Sequence, residues 1–389
     1  MAIHRGATLP AVTGIRFPAA ALVMIGHAAT VNSWAAPLGA YKWWNAVPFF
    51  FLLSGFILAH VYPSLDGWQA RKQFLLARFA RVYPLHLATM MLVVLALPEF
   101  ARSPLNDPVL IITNLTLTQS WSWEPNIYFA YNSPAWSISV EMFLYACFPL
   151  LILRWRYTWW LCLPAAAFLN VYASDLWPQY AQARPLPLRH LFLFAMGIST
   201  ASLYRWLEPR AHWGRLAGTV LELAAGAVLF YCDAILPYPY HEAGAALGYA
   251  SVVLVMALGR GWISQVFAWR PIVVLGEASF ALYMLHQIVL RWMLVHGFHA
   301  SWDPGTFFIT YVGISLAGSY ALWRYIECPA RRLILASVGQ RRRTAVPQVV
   351  APEIANSPAV SSAAPKPHFA LENEHTPREN RSSLSAHSG

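Results

Sequence analysis

The segment LPAVTGIRFPAAALVMIGHAAT, residues 9 to 30, is long and apolar enough to cross a bilayer, yet it contains an arginine and a histidine. Arg16 and His27 are eleven residues apart, close to three helical turns, so they lie on one face about 16 Å apart along the axis. An ionisable side chain inside an apolar span is costly unless it faces a bundle interior or a wet cavity. The spacing therefore indicates a functional face. The alternative is that Arg16 reaches one membrane interface and His27 caps the helix near the other.

The composition of the whole chain is that of a membrane protein. Of its 389 residues, 58% are hydrophobic and 11% charged, with a mean hydropathy of +0.44, which departs strongly from globular proteins. The net charge of +10 comes from short clusters of Lys and Arg between apolar stretches, where they set topology rather than bind nucleic acid. The four cysteines lie singly, so we expect neither a disulfide framework nor a metal site.

The lengths of the apolar stretches predict an all-α, polytopic transmembrane bundle of about ten spans, because about 20 apolar residues cross a bilayer. The stretch 108–120 is shorter and rich in Thr, and we interpret it as re-entrant or interfacial, since a full span there would make eleven. The ten spans are expected near 10–30, 44–62, 75–98, 134–153, 158–174, 187–206, 215–236, 242–259, 272–296 and 305–327.

Positive charge differs between alternate loops, which supports the even number of spans. By the positive-inside rule, both termini are expected in the cytoplasm. The 99–133 connection then lies outside, where its aromatic residues form an interfacial belt or, alternatively, a sugar platform. The aperiodic residues 336–389 predict a disordered cytoplasmic tail after a membrane domain over 1–335. The charge-rich side holds Arg5, Arg71, Lys72, Arg154, Arg156, Arg205, Arg210, Arg215, Arg260, Arg270, Arg331, Arg332, Arg341, Arg342 and Arg343, and the other side holds Lys42, Arg102, Arg184 and Arg189.

Two later apolar segments contain small or charged residues whose type and spacing indicate a role. In PFFFLLSGFILAH, residues 48 to 60, the small pair Ser54-Gly55 favours close helix packing over catalysis. Arg78 and Arg81 share one helical face near the cytoplasmic boundary, and guanidinium groups spaced in this way suit phosphate recognition. The alternative for these arginines is a plain topology signal.

The segment YNSPAWSISVEMFLYACFP, residues 131 to 149, contains a carboxylate. Glu141 falls about two turns inside a helix that begins near Pro134, with Ser137 four residues earlier on the same side. A buried carboxylate needs a cationic or proton-donating partner, and His27 is expected at a similar depth. The segment therefore predicts a catalytic pair of Glu141 and His27. A structural ion pair is the alternative.

A polar stripe is predicted in LGEASFALYMLHQ, residues 275 to 287, where Ser279, Tyr283 and His286 follow helical spacing. We expect this stripe to line a cavity; hydrogen bonding between helices is the alternative. Glu327, at the inner end of the last span, is expected to pair with a nearby arginine and to be structural.

Together these segments resemble the integral membrane acyltransferases of acyltransferase family 3, over roughly residues 8 to 335. Each motif is weak alone, and six in the family's order are specific. They are Arg16-x10-His27, FFFLLSGFIL, Arg78-x-x-Arg81 followed by Tyr83-Pro84, PAWSISVEMFLYACFP, LGEASFALYMLH, and Ile326-Glu327-Cys328-Pro329.

The resemblance implies transfer of an acyl group, most often acetyl, from cytoplasmic acyl-CoA to a hydroxyl of a cell-surface or lipid-linked carbohydrate. It implies a multi-pass protein of the bacterial inner membrane, with polysaccharide-assembly proteins as further partners. No bound cofactor is expected, because acetyl-CoA is the donor substrate.

The resemblance also gives roles to the polar residues. His27 would be the general base or a nucleophile, and Glu141 would orient its imidazole. Arg16, Arg78 and Arg81 would bind the anionic end of coenzyme A. The residues expected to line the substrate cavity are Trp136, Ser137, Ser279, Tyr283 and His286.

Two other functions remain open from the sequence. One is an acyltransferase that uses succinyl or another acyl group, or a non-carbohydrate acceptor. The other is a transporter of a sugar or lipid intermediate, because buried charges also mark transport pathways. The sequence shows no inverted repeat to support transport, and dependence on acyl-CoA distinguishes the two classes.

Overall fold

The structure is a computed structural model that describes residues 9–37, 43–98, 106–152, 186–235 and 240–344. Regular structure within these ranges is helical, and no strand occurs in them. The helices are α1 (Pro10–Gly14), α2 (Arg16–Ala29), α3 (Ala46–Val61), α4 (Gly67–Ala96), α5 (Pro108–Leu115), α6 (Pro125–Tyr128), α7 (Ser133–Ile152), α8 (Leu191–Leu207), α9 (Arg215–Phe230), α10 (Tyr240–Leu258), α11 (Trp262–Phe267), α12 (Arg270–Val295), α13 (Phe298–Ser301), α14 (Pro304–Leu322) and α15 (Cys328–Thr344).

Helical stretches long and apolar enough to cross a membrane confirm the polytopic, all-α class. Besides the seven stretches of full length named below, two expected spans correspond to shorter helices. The span 187–206 corresponds to the 17-residue α8, and the span 242–259 to α10, whose apolar part is Gly244–Leu258. The expected span 158–174 lies outside the described residues, so the count of ten and the location of the termini remain predictions. Among the described residues, the seven stretches of full length are Pro10–Ala29, Trp43–Val61, Gly67–Ala96, Ser133–Ile152, Arg215–Asp233, Arg270–Val295 and Pro304–Ser337.

The stretch 108–120 contains α5, which at eight residues is too short to cross a bilayer. Its C-terminal end is held against α4 by two side chains. His86 Nε2 lies 2.9 Å from the carbonyl oxygen of Asn114, and the Tyr83 hydroxyl donates to the carbonyl oxygen of Leu115 at 3.0 Å. Both acceptors are carbonyl groups in the last turn of α5, where intrahelical donors run out, and these contacts fix the segment beside the bundle.

Two helices extend beyond their expected bounds. α4 begins at Gly67, where φ is +78°, eight residues before the expected start at residue 75. It continues through Pro84, so its arginines and its apolar part form one helix. The last span continues past residue 327 through a π-helical turn, Trp323–Glu327, into α15. Such turns insert an extra residue and frequently occur at functional sites.

Small residues allow the helices that carry the site to approach closely. A Cβ atom on Gly55 of α3 would overlap the backbone of Phe194 in α8, and one on Gly197 of α8 would overlap the backbone of Leu52. The packing interpretation of Ser54-Gly55 is therefore confirmed for the glycine. On the other side of the bundle, the buried Tyr311 of α14 donates its hydroxyl to the carbonyl oxygen of Met24 at 3.1 Å and so ties α14 to α2.

Candidate active site

Three arginines meet at a cavity inside the bundle, which we call the arginine cavity. Arg16 is the first residue of α2, and Arg78 and Arg81 lie one turn apart on α4. Their side chains line a cavity of about 110 Å³ together with Glu141 of α7 and Tyr283 of α12. The structure thus brings together the three guanidinium groups that the sequence suggested for coenzyme A.

The two arginines of α4 have different neighbours. Arg81 forms an ion pair with Glu327 in the π-helical turn, as expected for that glutamate, and lies 5.9 Å from the ring centre of Phe280. Arg78 lies 5.7 Å from the ring centre of Tyr62, an arrangement that favours a cation. In the part of the chain that the structure describes, no carboxylate pairs with Arg78. Its positive charge is therefore open to an anionic ligand.

Glu141 is held by two hydroxyl groups. Ser54 Oγ donates to Glu141 Oε1 at 2.7 Å, and the Tyr145 hydroxyl, one turn along α7, donates to the same oxygen. Arg16 interacts electrostatically with this carboxylate. Because Ser54 lies in the middle of α3, Glu141 lies near the middle of the bundle, whereas His27 lies in the last turn of α2. Glu141 and His27, both described, do not contact each other.

His27 instead contacts His286 of α12, and we call these two residues the histidine pair. His27 Nδ1 lies 3.2 Å from His286 Nε2, and the ring centres are 5.0 Å apart. Each Nδ1 also faces a backbone carbonyl four residues earlier. The oxygen of Val23 is 3.0 Å from His27 Nδ1, and that of Leu282 is 3.2 Å from His286 Nδ1. His286 is fully buried, so its orientation is fixed by packing.

A tryptophan completes the surroundings of His27. The ring centre of Trp43 lies 4.3 Å from that of His27. A Cβ atom on Gly26 would overlap the Trp43 ring, so a glycine is needed beside the histidine. Trp43 is not predictable from the sequence, because nothing in its local pattern distinguishes it from other interfacial tryptophans.

The residues that begin α7 are tied to α12 near the histidine pair. Asn132 Nδ2 donates to the carbonyl oxygen of Met284 at 2.9 Å, and Arg291 donates to Ser133 Oγ at 2.7 Å. Arg291 also interacts electrostatically with His27. Arg291 was not among the predicted site residues, although a charge inside the apolar stretch of α12 is the type of signal that identified Arg16.

The predicted lining residues fall into two groups. Ser137, Ser279 and Tyr283 line the arginine cavity. Trp136 is not among the lining residues and packs against the rings of Phe51 and His190, and His286 belongs to the histidine pair. α12 therefore contributes to both regions, as α2 does. Within the described ranges, no group of three or more His, Cys, Asp or Glu side chains is arranged to hold a metal ion.

The fold and these two regions define a class of protein. Apolar spanning helices that enclose cations and histidines are typical of membrane proteins that process a charged substrate, because such groups are retained inside a membrane only for a function. The arrangement places guanidinium groups, which can bind an anion, and imidazole groups, which can accept a proton, on shared helices, and this combination suits an enzyme.

Comparison with known proteins identifies the enzyme class. Residues 9–324 match the family described as "Acyltransferase domain", acyltransferase family 3. The chain is 28% identical over 407 residues to "Acyltransferase MdmB" of Streptomyces mycarofaciens, covering 90% of this chain and 97% of that protein. No solved structure matches. The chain belongs to acyltransferase family 3, and it is an integral membrane acyltransferase that transfers groups other than aminoacyl groups.

Proposed function

We propose that this acyltransferase moves an acyl group, most often acetyl, from cytoplasmic acyl-CoA to a hydroxyl of a cell-surface or lipid-linked carbohydrate in the bacterial inner membrane. One observation carries the proposal: α2 bears Arg16 at one end, in a cavity with two more arginines, and His27 near the other, beside a second histidine. A single helix therefore links a site for anions to a site for proton transfer.

The arginine cavity suits the phosphate end of coenzyme A. Guanidinium groups bind phosphate oxygens through charge-assisted hydrogen bonds, often in pairs. Arg78 is the strongest ligand by this reasoning, because its charge has no carboxylate counterion among the described residues. Arg81 retains its ion pair with Glu327 and adds a weaker attraction. The pantetheine arm then extends along α2, over the about 16 Å between Arg16 and His27.

In the transfer step, His27 Nε2 takes the proton of the acceptor hydroxyl as its oxygen attacks the thioester carbonyl carbon. The carbon–sulfur bond breaks, and the coenzyme A thiolate leaves and takes up that proton from the imidazolium. The products are an ester and coenzyme A. A covalent acyl-imidazole on His27 is the other route, in which the ring nitrogen attacks first. Both routes need an unprotonated ring nitrogen.

Glu141 has a supporting role in this proposal. Its carboxylate faces Arg16 in the arginine cavity and is fixed by Ser54 and Tyr145. Glu141 therefore acts on Arg16, which contacts the donor. Its effect on His27 is indirect, because Arg16 and His27 lie on the same helix, α2.

We infer the class of acceptor from the side of the membrane on which His27 lies. By the positive-inside rule this is the outer side, where carbohydrates of the cell surface are assembled. Exposed Trp121 and Trp123, in the connection before α7, provide aromatic faces for sugar rings. Polysaccharide-assembly proteins are the proposed partners.

The proposal is tested with the purified full chain in lipid nanodiscs and in cells. Mass spectrometry of cell-surface polysaccharide from a deletion strain, with and without the gene restored, is expected to show one ester that depends on the gene. The purified protein is expected to release coenzyme A from acetyl-CoA only when extracted polysaccharide from the deletion strain is added. If polysaccharide from the two strains is identical and no thiol is released, the proposed acceptor class is wrong. Counterflow of a sugar intermediate without acyl-CoA would favour transport.

A further inference from the structure

The hydrogen bonds of the histidine pair determine which ring nitrogens carry protons. A carbonyl oxygen only accepts hydrogen bonds, so a neutral imidazole nitrogen that faces a carbonyl must be protonated to bond with it. His286 Nδ1 faces the carbonyl oxygen of Leu282, at 3.2 Å, and His27 Nδ1 faces that of Val23, at 3.0 Å. In both neutral rings, the proton is therefore on Nδ1.

This assignment fixes the direction of the bond between the two rings. With its proton on Nδ1, His286 has a lone pair on Nε2 and can only accept there. The proton on His27 Nδ1 is then shared between the Val23 carbonyl and His286 Nε2, which is 3.2 Å away. His27 Nε2, on the opposite edge of the ring, keeps its lone pair. In the other tautomer, His27 Nδ1 would place a lone pair against the Val23 carbonyl, which is repulsive.

We propose that His286 is the positioning residue of this acyltransferase, which accepts the His27 Nδ1 proton so that His27 presents an unprotonated Nε2 to its substrates. The inference rests on the proposed function of His27. It assigns to His286 the task that a carboxylate performs in a Ser-His-Asp triad, where the third residue holds the imidazole in the required tautomer and orientation.

The contacts around the pair support this role for His286. His286 is fully buried, and its ring is 5.9 Å from that of Tyr283, so it cannot turn freely. Trp43 lies against the other member of the pair, His27, with ring centres 4.3 Å apart. The charged side chain that acts electrostatically on His27 is Arg291, a cation that cannot accept a proton. The described contacts of His27 therefore contain one side-chain acceptor, and it is His286.

Two substitutions of similar size separate positioning from packing. The amide of Gln reaches the place of a histidine Nε2, whereas the shorter Asn reaches only the place of Nδ1. His286→Gln is therefore expected to keep at least a third of the wild-type kcat, because its side-chain oxygen accepts the His27 proton. His286→Asn is expected to lose about tenfold to a hundredfold in kcat, as do other losses of a partner that orients a histidine. KM for acetyl-CoA is expected to stay unchanged in both, because His286 lies outside the arginine cavity.

The measurement uses the purified full chain in nanodiscs, acetyl-CoA, and polysaccharide extracted from a deletion strain, with His299→Ala as a control on an exposed histidine. Equal kcat for His286→Gln and His286→Asn, or full activity of both, would overturn the proposal. If the wild type shows no transferase activity although His27 and His286 have the assigned protonation, the proposed function is rejected instead.

A second measurement does not depend on activity. Solid-state NMR of protein with 15N-labelled histidine distinguishes protonated from unprotonated ring nitrogens. The signals that disappear in His27→Gln and in His286→Gln identify these two residues among the 13 histidines. At a pH where imidazole is neutral, both residues are expected to show a protonated Nδ1 and an unprotonated Nε2. A protonated Nε2 on His27 would contradict the assignment, whatever the activity.

Discussion

The arginine cavity and the histidine pair share two helices, α2 and α12, but differ in the chemistry of their side chains. At the cavity, carboxylates accompany the guanidinium groups. Glu327 is paired with an arginine, and Glu141 accepts hydrogen bonds from two hydroxyl groups. At the pair, His27 contacts an imidazole, an indole and a backbone carbonyl, with no carboxylate among its described contacts. In the proposed function, anion binding and proton transfer are therefore separated along α2, with the guanidinium groups at one end and the imidazoles near the other.

Removal of His27 is expected to have the largest effect, because it breaks one region and leaves the other intact. His27→Ala is expected to lower kcat about 10²-fold to 10⁴-fold, the contribution typical of a general base. The rate of thiol release at saturating acetyl-CoA measures it. His299→Ala, a change of an exposed histidine, serves as the matched control and is expected to behave as wild type. Activity of His27→Ala near that of wild type would remove His27 from the mechanism.

Removal of the counterion of Arg81 is expected to affect stability more than chemistry. Glu327→Gln leaves a guanidinium in the bundle without its partner, which is expected to cost on the order of 3 kcal/mol of stability. Thermal unfolding in detergent measures the change. The double variant Arg81→Met, Glu327→Met is expected to recover part of the loss, since no unpaired charge remains. If Glu327→Gln unfolds at the wild-type temperature, the ion pair does not stabilise the bundle.

Substitution of Arg78 is expected to weaken donor binding without slowing the bound enzyme. Arg78→Gln removes a charge-assisted hydrogen bond to phosphate, worth about 1.5–3 kcal/mol, so KM for acetyl-CoA is expected to rise about tenfold to a hundredfold. Initial rates over a range of acetyl-CoA concentrations measure KM and kcat separately. Arg210→Gln, a change of an exposed arginine outside the cavity, is the control. A fall in kcat with KM unchanged would show that Arg78 does not bind the donor.

Removal of one hydroxyl from Glu141 is expected to have the smallest effect. Ser54→Ala leaves the Tyr145 hydroxyl in place, so the expected change in donor binding is about 1 kcal/mol, close to a fivefold rise in KM. Ser251→Ala, which removes a hydroxyl bonded to its own helix, is the control. Steady-state rates with acetyl-CoA measure both. A large fall in kcat for Ser54→Ala would instead connect Glu141 directly to the transfer step.

The sequence was sufficient to predict which polar residues share a helix face, because helical spacing determines this. Arg16 and His27 are eleven positions apart and Arg78 and Arg81 three positions apart, spacings that place each pair on one face of a helix. The stripe of α12 is divided in the structure, with Ser279 and Tyr283 in the arginine cavity and His286 at the pair.

Contacts between helices were harder to predict, because counting turns from Pro134 gives a position along α7 but not the depth of that helix relative to α2. The count placed Glu141 level with His27, whereas Ser54 shows that it lies near mid-bundle. The bond from Tyr145 to Glu141 follows i, i+4 spacing and could have been found from the sequence. The contact between His27 and His286 joins residues 259 positions apart, and no local pattern indicates it.

The separation of the two regions is tested most directly by equilibrium binding of radiolabelled acetyl-CoA to the purified wild type, His27→Ala and Arg78→Gln, measured in nanodiscs without acceptor. We expect His27→Ala to bind acetyl-CoA as tightly as the wild type, although its kcat is strongly lowered, and Arg78→Gln to bind at least about tenfold more weakly. Weak binding by His27→Ala together with normal binding by Arg78→Gln would contradict the assignment of the donor to the arginine cavity.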